Sequence, residues 1–144
     1  MSIVREILQE KGDQVWSVSP ETTVFDALRL MADKNIGALL VLDGEKLTGI
    51  FSERDYARKV ILKGKTSKET AVREIMTSVV VTVLPQQSVE ECMLLMTENR
   101  VRHLPVMEGE RLVGMISIGD VVKAIISDKE FMIKQLENYI TGGP

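Results

Sequence analysis

Apolar positions along this chain change period several times, and they do so twice in the same order. Ile3, Ile7 and Leu8 fall at helical spacing and predict a short lead-in helix over 3–10, closed by Lys11-Gly12-Asp13. Residues 15–18 read as a strand that Pro20 ends. Thr23-Val24-Phe25-Asp26 reads as a capping box opening a helix whose apolar stripe is Val24, Ala27, Leu28 and Met31, ending near Lys34-Asn35. Apolar runs at 38–42 and 46–51, joined by Asp43-Gly44, predict a hairpin laid against that helix. Ser52 opens a further helix to about Leu62.

Residues 63–71 are polar and aperiodic and read as a linker, and 72–76 as a short helix in the role that 3–10 plays for the first half. The program then repeats. A strand over 80–83 precedes Pro85, Ser88-Val89-Glu90-Glu91 forms a second capping box, and Val89, Cys92, Met93 and Met96 point one way on the helix that follows. A hairpin over 103–107 and 111–116 turns at Glu108-Gly109, and Ser117 opens a helix to about Ile126. Phe131, Ile133, Leu136 and Ile140 give 128–140 helical spacing, with no counterpart in the first half, so this segment packs across the domain or on a partner chain.

Residues 15–61 overlay on 80–126 without a gap, pairing Pro20 with Pro85, Leu39 with Leu104, Gly49 with Gly114, Ser52 with Ser117 and Asp55 with Asp120. The organisation is a lead-in at 1–11, repeat one at 12–62, linker and short helix at 63–76, repeat two at 77–127, and a C-terminal helix and tail at 128–144. Each repeat is strand, helix, strand, strand, helix. The fold class is α+β, two βαββα repeats packed sheet to sheet about a pseudo-twofold axis, because a three-stranded sheet with two helices cannot bury both faces alone. Two symmetry-related clefts between the repeats follow as ligand sites.

Composition narrows the function classes. With 144 residues, 44% of them hydrophobic, the chain buries about two-thirds of its unfolded surface, enough for one core. Net charge −3 and a pI near 5.3 give no field for nucleic acid. A single cysteine and short apolar runs argue for a cytoplasmic protein that engages no membrane. One histidine excludes a catalytic triad or a His-rich metal site, so no metal is expected.

The candidate chemistry lies in Gly49-Ile50-Phe51-Ser52-Glu53-Arg54-Asp55 and its copy Gly114-Met115-Ile116-Ser117-Ile118-Gly119-Asp120. Each runs from a strand into a helix N-terminus, where free N–H groups favour a phosphate. An Asp three residues on suits vicinal ribose hydroxyls, and the leading glycine suits close ligand approach. Ser-x-x-Asp is equally a helix cap that needs no ligand. Duplication and nearby basic residues, Arg54 and Arg58 in one copy and Arg102, His103 and Lys123 in the other, favour the nucleotide.

With these segments, the strands Asn35-Ile36-Gly37-Ala38-Leu39-Leu40-Val41 and Arg100-Val101-Arg102-His103-Leu104-Pro105-Val106, and Ile75-Met76-Thr77, the chain resembles a tandem pair of cystathionine β-synthase (CBS) domains, a Bateman module of the stand-alone bacterial type. The resemblance implies adenosine-nucleotide binding: AMP, ADP, ATP, S-adenosylmethionine or NAD(H). It implies that Ser52 and Asp55, with Arg54 and Arg58, hold phosphate and ribose in one cleft, and Ser117 and Asp120, with Arg102 and His103, in the other. Adenine would then meet Ile36, Gly37 and Ala38 in the second cleft, and residues 77–80 (Thr77, Val79 and Val80 among them) with Val101 in the first. Gly119 stands where Arg54 does, and Gly37-Ala38 where Arg102-His103 do, so NAD or ADP is expected at Ser52/Asp55 and an AMP-like ligand at the other site.

The expected role is a non-catalytic sensor, a homodimer that changes conformation on binding nucleotide and acts on an unidentified regulated protein. A ligand-independent assembly domain, with Ser52 and Ser117 acting only as caps, is the alternative. An enzyme acting on nucleotides lacks a base, a nucleophile and a metal set. Cys92 reads as a small core residue, and Trp16 as a cleft-rim or interface residue.

Overall fold

Each repeat is set by a helix cap. The Thr23 hydroxyl accepts the Asp26 N–H at 3.1 Å and the Ser88 hydroxyl accepts the Glu91 N–H at 3.1 Å. These open α2 (Val24–Lys34) and α4 (Val89–Asn99) with the hydroxyl half of the expected box. Both helices stop at a residue in the left-handed region, Asn35 (φ 54°) and Arg100 (φ 55°). The computed structural model describes residues 1–142; Gly143 and Pro144, the end of the expected tail, lie outside the described residues.

The other elements are α1 (Val4–Lys11), β1 (Ser17–Val18), β2 (Ala38–Asp43), β3 (Lys46–Ser52), α3 (Glu53–Tyr56), β4 (His103–Glu108), β5 (Arg111–Ser117) and α5 (Ile118–Thr141), so the fold mixes helices with small sheets. A π-helical turn, Ala57–Ile61, continues α3, and Val72–Glu74 forms a 3₁₀ turn. The described chain divides into two compact units: residues Gln14–Val80 with Glu108–Val113, and Met1–Asp13 with Val81–Met107 and 114–142.

In the first-repeat unit β1 pairs parallel with β2, and β2 antiparallel with β3. Val24, Ala27, Met31, Leu39, Val41, Phe51, Val60, Val72 and Ile75 form its core. In the second-repeat unit β4 pairs with β5. The strand expected over 80–83 shrinks there to a single parallel bridge, Val83 with Val106. Pro105 supplies the reason. In the first unit the Leu40 N–H donates to the Trp16 carbonyl; Pro105 stands at the equivalent position and has no N–H to donate.

The lead-in segments are exchanged relative to expectation. Helix α1 belongs to the second repeat: Val4 N–H donates to Gln87 O at 2.9 Å and Arg5 N–H to Pro85 O at 2.8 Å. The 3₁₀ turn makes the same pair in the first repeat, Val72 N–H to Thr22 O and Arg73 N–H to Pro20 O. Val4 and Ile7 are buried as Val72 and Ile75 are. A sequence signal exists: Val-Arg-Glu-Ile occurs at 4–7 and again at 72–75, a second repeat with its own offset.

The last helix also differs. Where a repeat helix to about Ile126 and a separate C-terminal segment are expected, α5 is continuous. In repeat one Gly64, at φ 71°, follows the π-helical turn, whereas in the second copy no glycine or proline stands between Gly119, in the first turn of α5, and Gly142.

Candidate functional site

Both Ser-x-x-Asp turns are built capping boxes. Ser52 N–H donates to Asp55 Oδ2 at 3.0 Å while its hydroxyl accepts the Asp55 N–H at 3.2 Å. Ser117 N–H donates to Asp120 Oδ2 at 2.8 Å, and its hydroxyl accepts the Asp120 N–H at 3.2 Å. The first helical N–H is also engaged in each: Glu53 donates to Gly37 O and Ile118 to Arg102 O. Most of the anion-binding capacity expected of these N-termini is thus satisfied internally, so the cap reading holds in the structure.

The two carboxylates differ. Asp55 is 6% exposed; its Oδ1 accepts from the Thr77 hydroxyl at 3.1 Å and lies 3.1 Å from Lys59 Nζ, which also donates to Ile75 O. Ser52, Asp55 and Thr77 are thus brought together, with Lys59 the partner that sequence reasoning missed. Its position one helical turn after Asp55 was the available signal. Asp120 is more open and pairs with Lys11 Nζ at 2.7 Å. Burial pushes the Asp120 carboxyl up, but hydrogen bonds from Lys11 and Ser117 and the Lys11 charge outweigh it, so it titrates below its ordinary value.

The motif glycines serve packing rather than ligand approach. A Cβ on Gly49 would lie 2.6 Å from Met76 Sδ and 2.9 Å from the Thr77 carbonyl oxygen; one on Gly114 would lie 2.8 Å from Leu8 Cδ2. The lead-in segments pack directly against both glycines.

Arg58 and Arg102 are exposed, His103 is half-buried, and Arg54 is exposed with an interaction of its own. Val79 is exposed at the surface, Val80 and Val101 are half-buried, and Ala38 is buried at the head of β2. Ile36 and Gly37 line an open cavity of about 340 Å³ with Leu28, Met31, Ala32, Asn35 and Glu53. Trp16 packs on the core of its unit with Lys34 Nζ 4.4 Å from its ring centre. Burial pushes the Cys92 thiol up to about 11, aided by Glu91 and Glu90, so it stays protonated and unreactive at neutral pH. Among the described residues no three of His, Cys, Asp or Glu cluster as metal ligands would, and no helix is long and apolar enough to cross a membrane.

Solved structures share this architecture. A CBS-domain protein of Burkholderia ambifaria is 54% identical, with a TM-score of 0.86 over 88% of this chain and 96% of that one. A hexameric CBS-CP12 protein from bloom-forming cyanobacteria is 32% identical, with a TM-score of 0.74 over 84% of this chain and 70% of that one. The mitochondrial CBS domain-containing protein CBSX3 of Arabidopsis thaliana is 40% identical over 149 residues, 97% of this chain and 72% of the relative. The sequence model of the CBS domain matches residues 4–62 and 72–127, and the chain therefore belongs to the CBS domain family, as a tandem pair.

Proposed function

We propose that this CBS pair is a regulatory module that binds an adenosine nucleotide, AMP, ADP, ATP or NAD(H), and passes the binding event to a regulated protein through a homodimer. CBS pairs are generally regulatory modules rather than enzymes, and the relatives named above are CBS-domain proteins. A cytosolic setting, where buried Cys92 stays a thiol, suits the role.

The observation that carries the ligand reading is the cavity beside Ile36 and Gly37. Its volume suits an adenine, its walls Leu28, Met31 and Ile36 are apolar, and Glu53 and Asn35 stand at it to accept from an exocyclic amine and to donate to a ring nitrogen. At the positions equivalent to Ala32, Asn35 and Gly37 the second repeat carries the larger Thr97, Arg100 and Arg102. The phosphates fall to exposed basic groups, Arg58 in the first repeat and Arg102 in the second, because the Ser-x-x-Asp groups are already committed to their caps.

Thermal melting of nucleotide-free protein with AMP, ADP, ATP, NAD, NADH and S-adenosylmethionine tests this. At about a hundred times its dissociation constant a binder adds about 2.7 kcal/mol. Arg58→Ala or Arg102→Ala should reduce the shift while leaving the ligand-free melt unchanged, since neither side chain takes part in a cap. If no nucleotide moves the melt, the assembly reading replaces this one. That reading has its own support in the hexameric CBS-CP12 neighbour and in the exposed apolar side chains of α5.

A further inference from the structure

Helix α5 carries two apolar faces. Val121 on one is fully buried in its own unit, flanked by half-buried Ala124 and Ile125. The other, about 100° around the axis, comprises Val122, Ile126, Ile133, Leu136 and Ile140, which are between 40% and 80% exposed. With Lys129 between Ile126 and Ile133, these positions step by four, three, four, three and four residues, the seam spacing of a coiled coil. The seam runs past the CBS match, which ends at residue 127. Among the described residues of its own unit none buries it.

We propose that this seam is covered by α5 of a second copy of the chain, lying antiparallel. The inference rests on the homodimer part of the reading above and not on its ligand. Charge decides both the occupant and its direction. Parallel pairing would bring Lys129 of the two copies together inside the seam. Antiparallel pairing that uses the whole seam sets Ile126 against Leu136, Lys129 against Ile133 and Val122 against Ile140 of the second copy. Lys123 then lies beside Glu137 of the second copy, and Lys129 beside its Glu130. In the same register Glu130 meets Glu130 of the second copy at the twofold axis, flanked by the two Lys129 side chains. Lys123 exchanges its exposed 3.8 Å pair with Glu10 for Glu137, so the attractive pairs are those that the twofold repeats.

Sedimentation of the full chain from about 1 to about 100 µM should show a dimer. Ile133→Asp with Leu136→Asp should convert it to monomer with an unchanged helical signal, because both side chains are exposed and their loss leaves each unit's core intact. Lys123→Glu should weaken the dimer about tenfold or more, and Lys123→Glu combined with Glu137→Lys should restore it. Under oxidation, Ile126→Cys mixed with Leu136→Cys should cross-link, while neither cross-links with itself; buried Cys92 takes no part. A wild-type monomer, a dimer indifferent to the Asp variants, or self-cross-linking of each single cysteine variant would overturn the proposal. The nucleotide melt is a separate readout: a retained ligand shift in a monomeric Asp variant leaves the ligand reading intact, and a dimer that no nucleotide stabilises leaves the seam intact.

Discussion

Gly49 tolerates no side chain because two different things stand where its Cβ would go. Met76 can move aside, but the Thr77 carbonyl oxygen at 2.9 Å is held by the backbone pairing of Ile50 with Thr77. At Gly114 only the flexible end of Leu8 intrudes. Gly49→Ala should therefore cost about 1–3 kcal/mol in urea unfolding, and Gly114→Ala less. Leu8→Ala should rescue Gly114→Ala in a double-mutant cycle, whereas Met76→Ala should leave most of the Gly49→Ala loss in place; equal rescue at both sites would refute the distinction. Lys59 offers a second test. Lys59→Met leaves the nearly buried Asp55 carboxylate with hydrogen bonds but no counter-charge, and should cost about 1–2 kcal/mol by chemical denaturation. Arg73→Met, which breaks an exposed pair with Glu21, should cost under about 0.5 kcal/mol. The residue types were legible in the sequence, but their use was not. A glycine beside a possible ligand and a glycine beside a packed methionine look alike until the partner segment is placed, and the Val-Arg-Glu-Ile repeat that would have placed it has a different offset from the main one.

At the scale of elements, periodicity located the helices α2 and α4, since each has a buried stripe and a capping hydroxyl, and both hairpins, since continuous apolar runs flank the Asp43-Gly44 and Glu108-Gly109 turns. It overstated the strand before α4, where one missing N–H at Pro105 removes the pairing. It split α5, whose second half presents an apolar face unlike that of its first. The first half of α5 is also where pH acts. Asp120 titrates below its ordinary value, and Asp128 does too, held by hydrogen bonds from the Ser2 hydroxyl at 2.6 Å and the Ser2 N–H at 2.8 Å. A depressed folded value means stability that is present above the unfolded carboxyl pKa of about 3.9 and lost as pH falls through the folded value. Unfolding free energy should thus be level from about pH 5 to about pH 8, decline below that range through these carboxylates, and decline above it as the Cys92 thiol, raised by burial to about 11, ionises more readily in the unfolded chain. Lys11→Met removes the ammonium partner of Asp120, so it should lower stability at neutral pH and flatten the acid decline. An unaltered acid limb in that variant would show that the ion pair contributes nothing.

For the whole molecule, the exchange of lead-in segments makes the two units unequal as fragments. Residues 14–80 are contiguous and contain every member of the first core, including Val72 and Ile75 from the closing 3₁₀ turn. Residues 81–142 lack Val4 and Ile7, which are buried in the second unit, and leave the backbone acceptors Pro85 O and Gln87 O without their donors. Two absent core side chains amount to a deletion larger than any single substitution, and one Ile→Ala change in a core already costs about 2–5 kcal/mol, a large share of what a small domain has. Fragment 14–80 should therefore unfold cooperatively, and fragment 81–142 should show neither a cooperative transition nor dispersed amide resonances. Joining residues 1–13 ahead of 81 through a Gly/Ser linker should restore both, by returning α1 to Pro85 and Gln87. In that fusion Ile7→Ala should be as damaging as in the full chain. If 81–142 folds unaided, α1 is an accessory to the second repeat; if the fusion alone folds, α1 is the part of the second repeat that the chain places first.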